Sequence, residues 1–272
     1  MTEFQFDKQA YLRRIGYNGD GGGDVAANMT TLRQLLTRQL YTIPFENFDI
    51  CLGKVIDLDP LAQFDKLVNS RRGGYCFELN GLLLAALQAI GFEARPLLAR
   101  VHGGGTVGGR DHQLSLVHLE GQDWIVDSGF GKDTPHCPLP LKLGQTTISN
   151  GLNLRLVAGQ HLGTLLQVED NGHWRPMYSF DLEYVGPADI QQSNHFTCTH
   201  PSTHFVQRRV AALPTEGGGV TTLSDHRLTI RQNGQQSEIQ LPDNGAYLEA
   251  LDQHFGIVLD ADYADLKPLL SG

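Results

Sequence analysis

One stretch constrains this chain more than any other: Arg72-Gly73-Gly74-Tyr75-Cys76-Phe77-Glu78-Leu79-Asn80, continued by Gly81 and an apolar run from Leu82 to Ile90. Leu79, Leu82, Leu83, Leu87 and Ile90 recur at helical spacing, and Gly91 stands where a C-terminal cap belongs. The pattern predicts a buried helix that starts near Cys76, after a tight turn made by the two glycines. A cysteine there meets unpaired amides and the positive end of the helix dipole, which favour its thiolate. A cysteine that only fills core space needs neither an open turn nor Arg72 and Glu78 beside it.

With 272 residues the chain can hold two or three modest domains. Before Cys76 the apolar spacing predicts helices over residues 6–15 and 26–41, and a third from Asp59-Pro60 to about Asn69. Pro44 breaks the second helix, which leaves Glu46 and Asn47 in a connecting segment. After Gly91 the texture changes. Short runs rich in Val, Leu and Ile follow at 92–101, 112–119, 123–126, 141–143, 153–157, 163–168 and 175–180, with turn residues between them. They predict an antiparallel sheet or small barrel. The segment Gly103 to Gly109 holds five glycines and follows no β-α pattern, so it reads as a mobile connection rather than a dinucleotide loop. A third region begins near Pro201. Its strands at 227–232 and 237–241 flank the hairpin turn Asn233-Gly234, and a closing helix runs from Ala246 to Phe255 with Gly256 as its cap.

Composition excludes several roles. A formal net charge of −9 argues against general nucleic-acid binding, and any anionic cofactor must be held by a local site against the overall field. No run is long and apolar enough to span a bilayer, and the first residues lack a signal peptide's apolar core, which places the protein in the cytoplasm. Cys51, Cys76, Cys137 and Cys198 are scattered, matching neither a disulfide framework nor a thiolate zinc site. His195, His200 and His204 form no helical i, i+4 pair, so no metal site is expected. The charge is spread evenly enough for a monomer or a homodimer.

A reactive cysteine needs a base, and the base needs an orienting group. His112 opens the strand after the glycine-rich loop, and Asp127 closes the next strand. If the two strands pair antiparallel, the start of one lies beside the end of the other, and His112 meets Asp127 at one sheet edge. Taken alone, Asp127 reads better as a turn aspartate and His112 as a solvated strand end. Their joint placement with Cys76 is what favours chemistry. His118 shares a strand face with His112 but sits at the far end.

The run from Arg72 to Asn80 resembles the active-site signature of the arylamine N-acetyltransferases. Tyr11-Leu12-Arg13-Arg14-Ile15-Gly16-Tyr17, Ile43-Pro44-Phe45-Glu46-Asn47, Val126-Asp127-Ser128-Gly129-Phe130-Gly131 and His200-Pro201-Ser202-Thr203-His204-Phe205 match that family in order. The resemblance implies an α+β fold in three parts: a helical bundle over 1–91, an antiparallel β-barrel over 92–200 and an α/β lid over 201–272. It implies a Cys76-His112-Asp127 triad with a cysteine-protease-like core, and no permanently bound cofactor. It also implies acetyl-CoA as co-substrate, and arylamines, arylhydroxylamines or hydrazines as acceptors. Phe45, Phe130 and Phe205 would wall the acceptor pocket. Arg72 and Glu46 would support the site as a charged pair, and Gly129 and Gly131 would let the backbone approach the coenzyme.

Two departures stand out. The residue before the histidine, often a small hydroxyl residue in relatives, is Asp111, a second carboxylate able to alter the His112 pKa or the choice of acceptor. Some bacterial relatives stack a lid tryptophan on the coenzyme, whereas Val220, Thr221 and Thr222 occupy that neighbourhood here. The rival readings are a cysteine hydrolase or transglutaminase-like enzyme with the same triad, and a non-catalytic protein in which Cys76 is merely oxidisable.

Overall fold

The structure, a computed structural model, describes residues 4–17, 25–103 and 106–268. Its first part is built on α1 (Lys8–Arg14), α2 (Met29–Thr42), the two-residue strand β1 (Phe45–Glu46), α3 (Phe48–Cys51), α4 (Pro60–Phe64) and α5 (Cys76–Ile90). Capping side chains set where these helices begin. Asp7 Oδ1 accepts from the Ala10 amide and Asn28 Oδ1 from the Thr31 amide, both at 2.9 Å, so α1 and α2 start later than periodicity alone predicts. The third expected helix is α4 followed by one wide turn over Asp65–Asn69, in which Ser70 N reaches back to Asp65 O at 2.7 Å. Gly91, at φ 103°, ends α5 as predicted. Leu79, Leu82, Leu83 and Leu87 of α5 pack with Leu32, Leu35 and Leu36 of α2 in one buried core.

The middle of the chain forms β2 (Glu93–Gly103), β3 (Thr106–Val107), β4 (His112–Leu119), β5 (Gln122–Val126), β6 (Leu139–Pro140), β7 (Thr146–Ser149), β8 (Leu152–Gly159), β9 (Gly163–Asp170) and β10 (His173–Phe180). The order β6-β5-β4-β2-β10-β9-β8-β7 is antiparallel throughout and curls into a nearly closed barrel-like sheet. Leu97, Leu114, Leu154, Leu166 and Tyr178 fill its interior. Val117 and Val126 instead join the α2–α5 core, which fixes β4 and β5 against α5.

One expectation fails in this region. Residues 141–143 are no strand: the residues that pair with Trp124 and Ile125 are Pro140 and Leu139. At the ends of the glycine-rich connection His102 stands opposite Val107 and Gly103 opposite Thr106. Gly104 and Gly105 lie outside the described residues.

The last part holds α6 (Pro187–Thr199), α7 (His204–Gln207), β11 (Val210–Pro214), β12 (Val220–Ser224), β13 (Arg227–Gln232), β14 (Gln235–Gln240) and α8 (Gly245–Phe255). The hairpin between β13 and β14 turns on Asn233 and Gly234, at φ 52° and 73°, the two left-handed residues that such a turn requires. The five-stranded sheet runs β1-β11-β12-β13-β14. Phe45 and Glu46 are therefore strand residues, opposite Ala212 and Ala211, so of the connecting segment expected at Glu46 and Asn47 only Asn47 lies between elements. This single strand ties Phe45 to the sheet of the last part. Among the described residues no helix is long and apolar enough to cross a membrane.

Candidate active site

The segment before Cys76 is shaped by close approach. Gly74 N donates to Pro44 O at 3.2 Å, and Glu46 N donates to Gly74 O at 2.9 Å. Neither Gly73 nor Gly74 has a left-handed φ. A Cβ on Gly73 would collide with the Pro44 carbonyl oxygen and come within 2.6 Å of Glu46 Cγ. The glycines are needed for room, not for the turn that their sequence suggests.

The expected Arg72–Glu46 pair is present, with Glu46 Oε1 accepting from Arg72 Nη2 at 2.7 Å and from Nε at 3.0 Å. It belongs to a larger buried network. Arg72 also reaches Asp49 at 3.4 Å, and Lys66 Nζ bridges Asp49 and Glu78 at 2.7 Å each. Glu46 Oε2 accepts the Phe48 amide at 2.7 Å, and Glu78 Oε2 accepts the Tyr75 amide at 3.1 Å. Burial works against the charges of Asp49, Lys66, Arg72 and Glu78. The cations beside Asp49 nevertheless bring it down to about 2, while for Glu78 burial prevails over Lys66 and its pKa stays raised.

Cys76 is buried at the start of α5, with Sγ 3.8 Å from the Asp111 carbonyl oxygen. His112, also buried, has Nε2 at 2.8 Å from Asp127 Oδ2. The strand pairing expected to unite them is observed: β4 and β5 are antiparallel, with Ser115 opposite Val126. Burial lowers the His112 pKa, but the charge and hydrogen bond of Asp127, joined by a hydrogen bond to the Cys76 side chain, push it up to about 10. Since Nε2 is committed to Asp127, Nδ1 is the nitrogen left for the sulfur. Burial alone would raise the Asp127 pKa. His112, the Gly129 amide at 2.8 Å and Asn80 Nδ2 at 3.0 Å outweigh it and keep the carboxylate ionised.

Several supporting residues were not anticipated. Asn80 lies one helical turn after Cys76, so the i, i+4 spacing was a usable signal. Its Oδ1 takes the Ser128 amide at 2.8 Å, which binds the Asp127 loop to α5. Beneath it, Gln39 Nε2 donates to Ser128 Oγ at 3.0 Å and Tyr11 Oη donates to Gln39 Oε1 at 2.9 Å. The Tyr178 ring stands 5.1 Å from the His112 ring and 5.0 Å from that of Phe130. Burial first, then the Asp127 charge, hold its phenol well above the ordinary value, so it stays protonated.

Gly129 and Gly131 differ in role. A Cβ on Gly129 would sit 2.9 Å from Cys76 Cα and 2.9 Å from Asn80 Nδ2, so the protein's own packing demands glycine there. Gly131 has φ 66° and open space around it. Gly129→Ala is expected to push the Asp127 loop off α5, costing about 1–3 kcal/mol and about 100-fold in any reaction carried by Cys76. Thermal denaturation and steady-state rates check this, and wild-type activity would mean that the loop yields without disturbing Asp127.

Cys76 and His112 open into a cavity of about 720 Å³. Phe45, Phe130 and Phe205 all border it, as expected, and α6 and α7 add Phe196 and His204, which were not foreseen. Phe45 and Phe205 stand 5.9 Å apart, centroid to centroid. The buried Asn47 fixes the Phe205 wall, with Nδ2 donating to Phe205 O at 2.8 Å and to Arg208 O at 2.7 Å. A second cavity of about 480 Å³ shares Phe45, Phe130, Phe205 and His204 and continues along β11–β13, where Lys132, Arg227 and Arg231 line it. Thr222 borders this groove at the position where a lid tryptophan was missed. No group of His, Cys, Asp or Glu among the described residues is arranged to hold a metal ion.

A cysteine, an imidazole and a carboxylate in series at the mouth of an apolar cavity are equipped for nucleophilic acyl transfer. The N-acetyltransferase family model matches residues 28–264. The arylamine N-acetyltransferase of Escherichia coli K12 is 36% identical over 255 residues, which covers 92% of this chain and 88% of that one. The solved arylamine N-acetyltransferase of Salmonella typhimurium superimposes with a TM-score of 0.89 at 34% identity, over 95% of this chain and 96% of that one. The Mycobacterium marinum enzyme in complex with CoA gives a TM-score of 0.87 at 31% identity, over 96% and 97%. The chain belongs to the arylamine N-acetyltransferase family, and it is an acyltransferase.

Proposed function

We propose that Cys76 carries an acetyl group from acetyl-CoA to an arylamine, an arylhydroxylamine or a hydrazine in two separate steps. The observation that carries this reading is the shared cavity: the Cys76 sulfur, His112 on Asp127 and three phenylalanines border one space. In the first step the Cys76 thiolate, paired with protonated His112, attacks the thioester carbonyl. The C–S bond to coenzyme A breaks, and His112 gives its proton to the departing thiolate. Backbone amides at the start of α5 are placed to receive charge on the carbonyl oxygen. In the second step the amine attacks the acetyl-cysteine, neutral His112 takes the amine proton, and the sulfur leaves as thiolate.

The phenylalanine walls favour an aromatic acceptor over a small polar one. The groove lined by Lys132, Arg227 and Arg231 gives the coenzyme phosphates local cations on a chain of net charge −9. Gly131 borders that groove and Gly129 the cavity, which supports the role expected of both beside the coenzyme. The four cysteines are free, which suits a reducing cytoplasm, and the protein acts as a monomer or a homodimer.

Intact-protein mass spectrometry after mixing with acetyl-CoA alone tests the scheme. One acetyl mass is expected on the protein and none on Cys76→Ala. With both substrates varied, double-reciprocal plots should be parallel. Intersecting lines, or no adduct on a protein with titratable thiol, would overturn the two-step scheme. Fast turnover of acetyl-CoA to acetate without any amine would favour a hydrolase.

A further inference from the structure

We propose that Phe196, backed by His200, is an outer aromatic subsite of the cavity: it binds the second ring of an extended acceptor, so that amines and hydrazines on biaryl or fused-ring systems are favoured over single-ring ones. This rests on the two-step reading above.

Phe196 lies near the end of α6 and is 50% exposed. A half-exposed phenylalanine needs no explanation on its own; its position here is what matters. It borders the catalytic cavity with Cys76 and His112, and it also borders an outer hollow of about 540 Å³ with His195, Thr199 and His200. No other described residue lines both, so Phe196 is the partition between them. The rings of Phe196 and His200 are stacked, with 4.5 Å between centroids and 21° between planes. His200 borders the outer hollow and not the cavity. The stack therefore covers the outward face of the phenyl ring and leaves the opposite face toward the cavity.

Hydrogen bonds hold the backing ring in place. His200 N donates to Phe196 O at 2.9 Å. His200 Nδ1 accepts the Ser202 amide at 3.3 Å and lies 2.8 Å from Ser202 Oγ. Thr203 Oγ1 donates to Thr197 O at 2.9 Å and to His200 O at 3.0 Å, which closes the turn. Another part of the cavity border is glycine. An added Cβ on Gly103 or on Gly109 would meet no described atom within 4 Å, so that side of the cavity stays open.

The cavity is larger than one ring needs, at about 720 Å³ against the roughly 150 Å³ that holds benzene. Coenzyme A has left before the acceptor attacks, so the acceptor has this space to itself. A single ring among Phe45, Phe130 and Phe205, with its nitrogen at the acetyl-cysteine, leaves the Phe196 end empty. A second ring carried on the first fills it. Aromatic pairs favour offset or edge-to-face contact at centroid separations of about 4.5–7 Å. A phenyl ring already held by His200 offers that contact without having to be ordered on binding.

The test compares acceptors on a common acetyl-enzyme. In a two-step reaction kcat/KM for the acceptor reports only the second half, so slower acetylation cancels. The acceptors 4-aminobiphenyl, 4-cyclohexylaniline and 4-methylaniline are compared on wild type, Phe196→Ala and Phe196→Tyr. The aminobiphenyl-to-methylaniline ratio should fall by more than about twofold, and up to about tenfold, in Phe196→Ala. It should return toward wild type in Phe196→Tyr, which keeps the ring. Cyclohexylaniline reaches as far without an aromatic face, so its ratio to methylaniline should fall less. If no acetyl-enzyme forms on wild type, the underlying reading fails. This assignment fails alone if the acetyl-enzyme forms and the ratio stays within about twofold in Phe196→Ala. An equal fall in Phe196→Tyr, or an equal fall with cyclohexylaniline, overturns it too.

Discussion

Replacing Asp127 with asparagine should reduce acetyl transfer about 10⁴-fold with the fold retained. The amide oxygen of the substituted side chain can keep the bonds that Oδ1 now accepts from the Gly129 amide and from Asn80. The introduced NH₂ group then replaces the oxygen that faces His112 Nε2 at 2.8 Å. A donor there forces Nε2 to accept, which moves the ring proton to Nδ1, where it blocks transfer from the sulfur. Charge acts in the same direction. Burial is the largest influence on His112 and lowers it; without the carboxylate it is opposed only weakly, so the imidazole becomes neutral. In the wild type, the folded pKa of about 10 exceeds the ordinary 6.5. The stability this provides is fully present below 6.5 and is lost as pH rises through about 10. The variant should lack that decline. Rapid-quench mass spectrometry gives the acetylation rate, and denaturation between neutral and alkaline pH gives the slope. A rate within about tenfold of wild type would mean that Tyr178 and Phe130 orient the imidazole without Asp127.

Much of this site could be read from the letters, because its main partners lie in strongly patterned elements. Cys76 begins a helix whose apolar period is unmistakable, and His112 and Asp127 end up adjacent once two neighbouring strands pair antiparallel. Periodicity states which face of an element is apolar; it does not name the partner of a buried polar group. Lys66 sits in a short, irregular turn, and nothing local marks it as the bridge between Asp49 and Glu78. Tyr178 reads as one more alternating strand residue, and only closure of the sheet brings it against His112. The run at 141–143 looked like a strand because its leucines alternate, yet the register is fixed two residues earlier, where Leu139 is buried. Glu46 follows closely on a proline and reads as a connection, but strand β11, far along the chain, gives it a pairing edge. Gly73 was correctly singled out for the wrong reason, since its neighbour across the gap, the Pro44 carbonyl, is a tertiary contact.

Lys66→Met should destabilise the protein by about 3–5 kcal/mol, or roughly 10 °C in Tm, although Lys66 touches neither Cys76 nor the cavity. The methionine fits the space of the lysine stem, so lost packing is a small part of the effect. The penalty comes from the acids left behind. Glu78 is 2% exposed, and its only cationic contact within ion-pair range among the described residues is Lys66 at 2.7 Å, whereas Asp49 keeps Arg72 and Lys54 at 3.4 Å each. The Glu78 pKa is already raised by burial with the lysine present, and it climbs further without it. A carboxyl whose folded pKa exceeds its unfolded one favours the folded state at low pH and loses that advantage as pH rises through the folded value. The deficit of the variant should therefore grow from about pH 5 to about pH 8. Adding Glu78→Gln removes the stranded charge and retains an acceptor for the Tyr75 amide, so the double variant should recover about 2 kcal/mol. Chemical denaturation of both proteins at the two pH values decides the matter. A single variant within about 1 kcal/mol of wild type at neutral pH, with no recovery in the double variant, would mean that water or a shifted Arg72 already satisfies Glu78. The charge ring would then not be what holds the start of α5, and with it the sulfur, in position.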